Sequence, residues 1–162
     1  MKKLTILLAS ALLLALLAAG CGQTDAPAAD ASGPQTASAW LANGDEATRT
    51  DVTIDLSGGW SVDFAAGAFY LYQSGQSTDE DCSAMGLSLS EEVFGEYMDE
   101  AEQSDSRTEV DGAVRYTDES DGSTVYLFTA GENGYFYLTV NQGLDGDGVF
   151  GRVSLGEEAP AA

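Results

Sequence analysis

The chain has 162 residues, with six basic side chains against 27 acidic ones and no histidine. Without histidine the commonest general base and transition-metal ligand is missing, which excludes histidine-dependent triads and zinc hydrolases of the usual kind. A field of one sign this strong opposes nucleic acid, whose phosphates need basic partners, and it favours cations and basic proteins.

Lys2 and Lys3 precede an apolar run from Leu4 to Ala19, broken only by Thr5 and Ser10. At about 1.5 Å per residue the run reaches roughly 24 Å, short of a ~30 Å hydrocarbon core, so it reads as a secretory signal and not a permanent span. Its end, Ala18-Ala19-Gly20-Cys21, resembles the lipobox of bacterial lipoproteins, with Ala18 where that family favours leucine. The resemblance implies cleavage between Gly20 and Cys21, a diacylglycerol on the Cys21 thiol, and a membrane-anchored domain held outside the cytoplasm, at the outer leaflet or cell surface. Two acyl chains such as palmitate anchor durably where one anchors marginally. With the leader removed, four arginines (Arg49, Arg107, Arg115, Arg152) face 27 acids, a net charge of 4 − 27, or −23.

Four regions are expected. Residues 1–20 form the signal peptide, and 21–39 form the lipidated cysteine and a flexible tether rich in Ala, Pro, Ser and Asp. Residues 40–156 form one globular domain and 157–162 a disordered tail. Stretches with few large apolar groups cannot repay the entropy of ordering.

Within the domain, Val52, Ile54 and Leu56 alternate with polar residues, as do Trp60, Val62 and Phe64, so two half-buried strands are expected. A three-residue loop, Ser57-Gly58-Gly59, would pair them as a hairpin with Leu56 opposite Trp60. Strands follow at Phe69–Tyr72 and Met85–Leu89. The clearest helix comes next, with Ser90 as N-cap, Glu91 and Glu92 in the first turn, and Val93, Phe94, Tyr97, Met98 and Ala101 on one stripe. Its acidic opposite face reads as solvated. Glu109–Thr117 is a further strand with Gly112 as a bulge. Thr124–Ala130 and Tyr135–Val140 form a hairpin around Asn133-Gly134. A two- or four-residue loop there puts Val125 and Leu127 with Phe136, Leu138 and Val140, and puts Tyr126 and Phe128 with Tyr135 and Tyr137. Residues 144–155 fit a short helix started at Asp145, or a strand through Val149, Val153 and Leu155.

The sum is an α+β single domain: a mostly antiparallel sheet of six to seven strands, one main helix and a short C-terminal helix. In size and element order it loosely resembles a PsbP-like α-β-α arrangement.

Three places offer chemistry. The aromatic face of Tyr126, Phe128, Tyr135 and Tyr137 suits a protein, peptide or glycan ligand, or else it is covered by a second layer. Asp145 and Asp147, with Asp118 and Asp121, offer hard oxygens on turns that suit Ca²⁺. Twelve residues on from Asp145 and Asp118 stand Gly156 and Thr129, so neither loop closes as an EF-hand does. Paired carboxylates as in glycosidases are the third, but nothing designates an acid or a base, and the chain reads as a non-enzyme. Cys82, behind Asp79-Glu80-Asp81, is either an intermolecular redox thiol or a small apolar residue. The expected function is a membrane-anchored surface lipoprotein that serves as an accessory or binding module. A calcium-dependent module and a carboxylate hydrolase are the alternatives.

Overall fold

The structure is a computed structural model describing residues 35–76 and 81–161. The strands and helices run β1 (Thr36–Ala42), β2 (Thr48–Asp55), β3 (Ser61–Ala65), β4 (Ala68–Tyr72), β5 (Ala84–Leu89), α1 (Glu91–Gln103), β6 (Thr108–Val110), β7 (Ala113–Thr117), β8 (Thr124–Ala130), β9 (Gly134–Val140), α2 (Gly146–Phe150) and β10 (Val153–Pro160). The domain is α+β, and every strand pair is antiparallel. Strands β1-β2-β10 make a three-stranded sheet, and β3-β4-β5-β9-β8-β7-β6 make a seven-stranded one.

Two apolar clusters bind these elements into layers. Alternation along β2 buries Val52 and Ile54, which meet Phe69, Leu71, Phe136 and Leu138 of the large sheet, with Val149 of α2 alongside. On the other face of the large sheet, Phe94, Tyr97, Met98 and Ala101 of α1 cover Tyr116, Val125 and Leu127. Each large apolar side chain buried this way contributes about 1.5–3 kcal/mol. At Gly86 of β5 a side chain is excluded, because the ring of Phe69 occupies the space a Cβ would fill. The layer opposite α1 is a second sheet plus a short helix.

The helix forms as its sequence dictates. The Ser90 hydroxyl accepts from the Val93 amide at 3.3 Å, and Glu91 and Glu92 occupy the positive end. Val93 departs from the expected stripe and is exposed. Asp145 caps α2 by accepting from the Gly148 amide, as its position before the short helix suggested. Among the described residues no helix is long and apolar enough to cross a membrane.

Several expectations are corrected. β1 begins at Thr36, inside the stretch read as tether. Ala37, Ala39 and Leu41 alternate inward, and small residues gave no visible periodicity until β2 supplied a partner for all seven positions. The last strand continues to Pro160 through the stretch read as a tail, held by pairing to β2 across a register shift between Leu155 and Glu158. β2 and β3 are not a hairpin, because the chain crosses there from the small sheet to the large one. Arg152 fastens this crossover: its guanidinium donates to the carbonyls of Asp55 (3.1 Å) and Ser57 (2.8 Å) and lies 4.8 Å over the Trp60 ring. Gly112 is not a bulge. Asp111 and Gly112 have φ of 48° and 83°, and they form a two-residue turn that pairs Val110 with Ala113. Both central residues of such a turn need positive φ, which Asp-Gly tolerates.

Candidate functional site

The β8–β9 hairpin decides where the aromatic residues go. Ala130 pairs with Gly134, leaving a three-residue loop, so Tyr126 lies opposite Leu138 and Leu127 opposite Tyr137. An odd loop shifts the pairing by one position and sends every side chain to the other face. The four expected aromatics are split as a result. Tyr126 stacks on Phe150 of α2 at 4.7 Å, and Phe128 meets the same ring edge-on at 5.2 Å. Tyr135 and Tyr137 face α1 instead, 5.2 Å from Phe94 and 4.7 Å from Tyr97. No contiguous exposed aromatic face exists among the described residues, which corrects the expectation of one. Tyr126 and Phe128 are buried and Tyr135 and Tyr137 half-buried.

The acidic candidates also separate. Asp145 is committed to capping α2. Asp121 accepts from the Ser123 amide at 2.8 Å, and that bond holds its carboxyl below the usual aspartate range. Asp118 accepts from the Ser120 amide at 2.8 Å. Among the described residues, no three acidic or cysteine side chains converge closely enough to hold a metal ion. Cys21 and Gly20 lie outside the described residues. Cys82 is half-buried, and burial more than its acidic neighbour Asp81 pushes its thiol up, away from the reactive thiolate.

Asp147 has a different role. Arg115 Nη1 donates to both oxygens of its carboxylate, at 3.0 and 2.9 Å, and the Tyr126 hydroxyl donates to Oδ1 at 2.7 Å. These bonds hold the Asp147 carboxyl below its ordinary value, the tyrosine bond first and the arginine second. They also tie α2 to β7 and β8. A polar cleft of about 320 Å³ opens beside them, bordered by Thr117, Thr124 and Asp145. Its Arg115 and Asp147 charges are paired with one another, and Asp145 accepts from the Gly148 amide.

A second cleft, of about 230 Å³, lies where the end of α1 meets β7 and the turn after it. Glu100, Gln103, Tyr116, Asp118 and Glu119 line it, and no basic side chain does so among the described residues. Strand alternation turns Tyr116 toward α1, opposite in phase to Arg115, and helical spacing brings Glu100 to the same end. Tyr116 is 2 % exposed and lines the cleft, but the buried side-chain polar atoms left without a partner among the described residues lie elsewhere, at Arg49 Nε and Ser88 Oγ. Burial, and then the nearby Glu100 carboxylate, push this phenol well above the ordinary tyrosine range. The helix end adds to the negative potential, for the last turn of α1 holds no basic residue.

Sequence reasoning missed Glu100, Tyr116 and Glu119 as a group, and it assigned Asp118 to a different cluster. The one available signal was the breach of helix-dipole preference by Glu100 and Glu102 in the last turn. Comparison with protein-family models, with curated proteins and with solved structures finds no match for this chain.

Proposed function

We propose that this chain is a membrane-anchored bacterial surface lipoprotein whose folded domain serves as a binding module. The observation that carries the reading is the leader: a basic start, a short apolar run and Ala18-Ala19-Gly20-Cys21. Its chemistry makes Cys21 the lipidated residue and the first residue of the mature chain. The domain supports the binding half of the reading by what it contains. Tyr126, Tyr135 and Tyr137 are committed to packing and Asp147 to an internal ion pair, while the acidic cleft at the end of α1 is lined by no basic side chain among the described residues. A non-enzymatic role fits a domain in which, among the described residues, no carboxylate is set apart as an acid or a base.

The test is metabolic labelling with a fatty acid in a bacterial host. Cys21→Ser is expected to abolish label incorporation and leave the leader uncleaved by the lipoprotein peptidase. A Cys21→Ser variant that still takes up the label would overturn the anchor.

A further inference from the structure

We propose that the outer edge of β1 is a strand-addition site, which takes an extended segment of a basic protein partner as a further strand of the small sheet. This rests on the reading of the domain as a binding module, names the chemistry of its partner, and does not depend on the lipid anchor.

The pairing of β1 leaves one row of backbone groups unmade. The Leu56 amide donates to the Gln35 carbonyl and the Asn43 amide to the Thr48 carbonyl, and the register between these two pairs is unbroken. Hydrogen-bonded pairs alternate along an antiparallel ladder, so residues 35, 37, 39, 41 and 43 bond to β2. The N–H and C=O groups of Thr36, Ser38 and Trp40 therefore point away from β2, and no strand among the described residues pairs with them. The row ends at Ala42, whose carbonyl oxygen lies near Gly67 in the β3–β4 turn. Folded proteins blunt such edges with charge, proline, a bulge or shortness. β10 carries Glu157, Glu158, Pro160 and a register shift, β3 has Asp63 at its centre, and β6 is three residues long with Glu109. β1, Thr-Ala-Ser-Ala-Trp-Leu-Ala, has none of these guards over seven residues. The other strands without a charged residue are β4, β5, β8 and β9, and each has a neighbour on both sides. β1 thus has the composition of a central strand and the position of an edge strand.

Charge selects the occupant. With 27 acidic against six basic side chains, the chain repels a second copy of itself and attracts a basic segment. The face beside the edge has the same sign. Asp51 stands in register with Trp40 there and forms no salt bridge among the described residues. An added strand would lie about 4.8 Å from β1 and roughly 10 Å from β2, so an outward lysine or arginine on it reaches the Asp51 carboxylate across β1. Trp40 is 47 % exposed, and the Arg49 guanidinium, the cation of that face, lies 4.9 Å from the centre of its ring. The indole held this way offers an apolar platform for the alkyl stem of the incoming side chain. In strand addition the main-chain bonds supply affinity, and alternate side chains supply specificity.

Residue-resolved amide exchange of the full-length protein in neutral detergent, with a synthetic peptide of alternating lysine and valine as the probe, tests this. In the free protein the Ser38 and Trp40 amides should exchange at least about tenfold faster than those of Ala37, Ala39 and Leu41. Saturating peptide should slow Ser38 and Trp40 by about tenfold or more, with one-to-one stoichiometry. The same peptide N-methylated at every amide keeps its charge and should not bind, and a glutamate–valine counterpart should bind at least about tenfold more weakly. Ser38→Pro removes an outward N–H without touching a backbone bond to β2, and it should weaken binding at least about tenfold. Ser38→Lys leaves the backbone intact, sets like charge against the probe, and should weaken it about three- to tenfold. Two controls should change it by less than about twofold: Ser38→Ala, which loses only the hydroxyl bond to Thr53, and Ser154→Lys, which adds the same charge on β10. The proposal is overturned if Ser38 and Trp40 are as protected as their neighbours in the free protein, or if the N-methylated peptide binds as its parent does. It is also overturned if both Ser38→Pro and Ser38→Lys bind like the controls, or if sedimentation shows a dimer that Ser38→Pro dissociates, for then a second copy is the occupant. Protection that appears away from β1 would overturn the edge and leave the binding-module reading standing. Far-ultraviolet dichroism and melting of each variant separate loss of binding from loss of fold. Fatty-acid labelling fails or succeeds independently of these titrations, so the anchor and the edge are judged separately.

Discussion

Two clefts of this domain are built from the same residue types and have opposite chemistry. Beside α2, Asp147 meets Arg115 and the hydroxyl of Tyr126, so the charge is spent inside the molecule and the result is a clasp. At the end of α1, Glu100, Asp118 and Glu119 meet no basic side chain among the described residues. In a chain with 27 acids the presence of carboxylates in a cleft therefore says little. What separates the two clusters is whether the fold itself supplies the counter-charge.

Substitutions break this comparison most sharply in the clasp. Asp147→Ala leaves the buried Tyr126 hydroxyl and the Arg115 guanidinium without their partner, and it is expected to destabilise the domain by about 1–3 kcal/mol, seen as a lower urea midpoint. Tyr126→Phe removes one bond but keeps the ring on Phe150, so its expected cost is smaller, about 0.5–1.5 kcal/mol. In the open cleft, Glu100→Gln should leave the midpoint within about 0.5 kcal/mol of the parent or raise it, because it relieves charge at the negative helix end. A Glu100→Gln midpoint falling as far as that of Asp147→Ala would erase the distinction between the two clefts.

Acidification probes the clasp in a second way. The Asp147 carboxyl is held below its ordinary value of 3.8. A group depressed in the folded state contributes stability that is present above its unfolded value and is lost as pH falls through the folded value. The stability difference between the parent and Asp147→Ala should thus be constant from neutral pH to about pH 5 and shrink below about pH 4. Half of this side chain is exposed, so solvent screening keeps the ion-pair share modest. A difference that persisted unchanged at pH 2 would show that the clasp stabilises by packing and not by charge.

The sequence made some of this legible and hid the rest for definite reasons. The α+β class, α1 with its Ser90 cap, the β8–β9 hairpin and the Asp145 start of α2 follow from periodicity and capping, which are local. Loop length is less easily read. Asn133-Gly134 announced a hairpin, but the turn is Gly131-Glu132-Asn133, and this one-residue difference reversed which aromatics share a face. β1 escaped notice because its inward residues include two alanines, which carry little hydrophobic signal. The β2–β3 crossing depends on Arg152, nearly a hundred positions away from Asp55. The cleft was hidden for the same reason. Glu100 and Tyr116 belong to different elements, and only the packing of α1 on β7 joins them, while abundant acids elsewhere offered equally plausible pairs.

Urea midpoints of Asp147→Ala and Glu100→Gln, measured side by side at neutral pH, give the most direct reading of the central claim. The account predicts a loss of about 1–3 kcal/mol for Asp147→Ala and a change within about 0.5 kcal/mol for Glu100→Gln. Equal losses in the two variants, or a larger loss for Glu100→Gln, would contradict it.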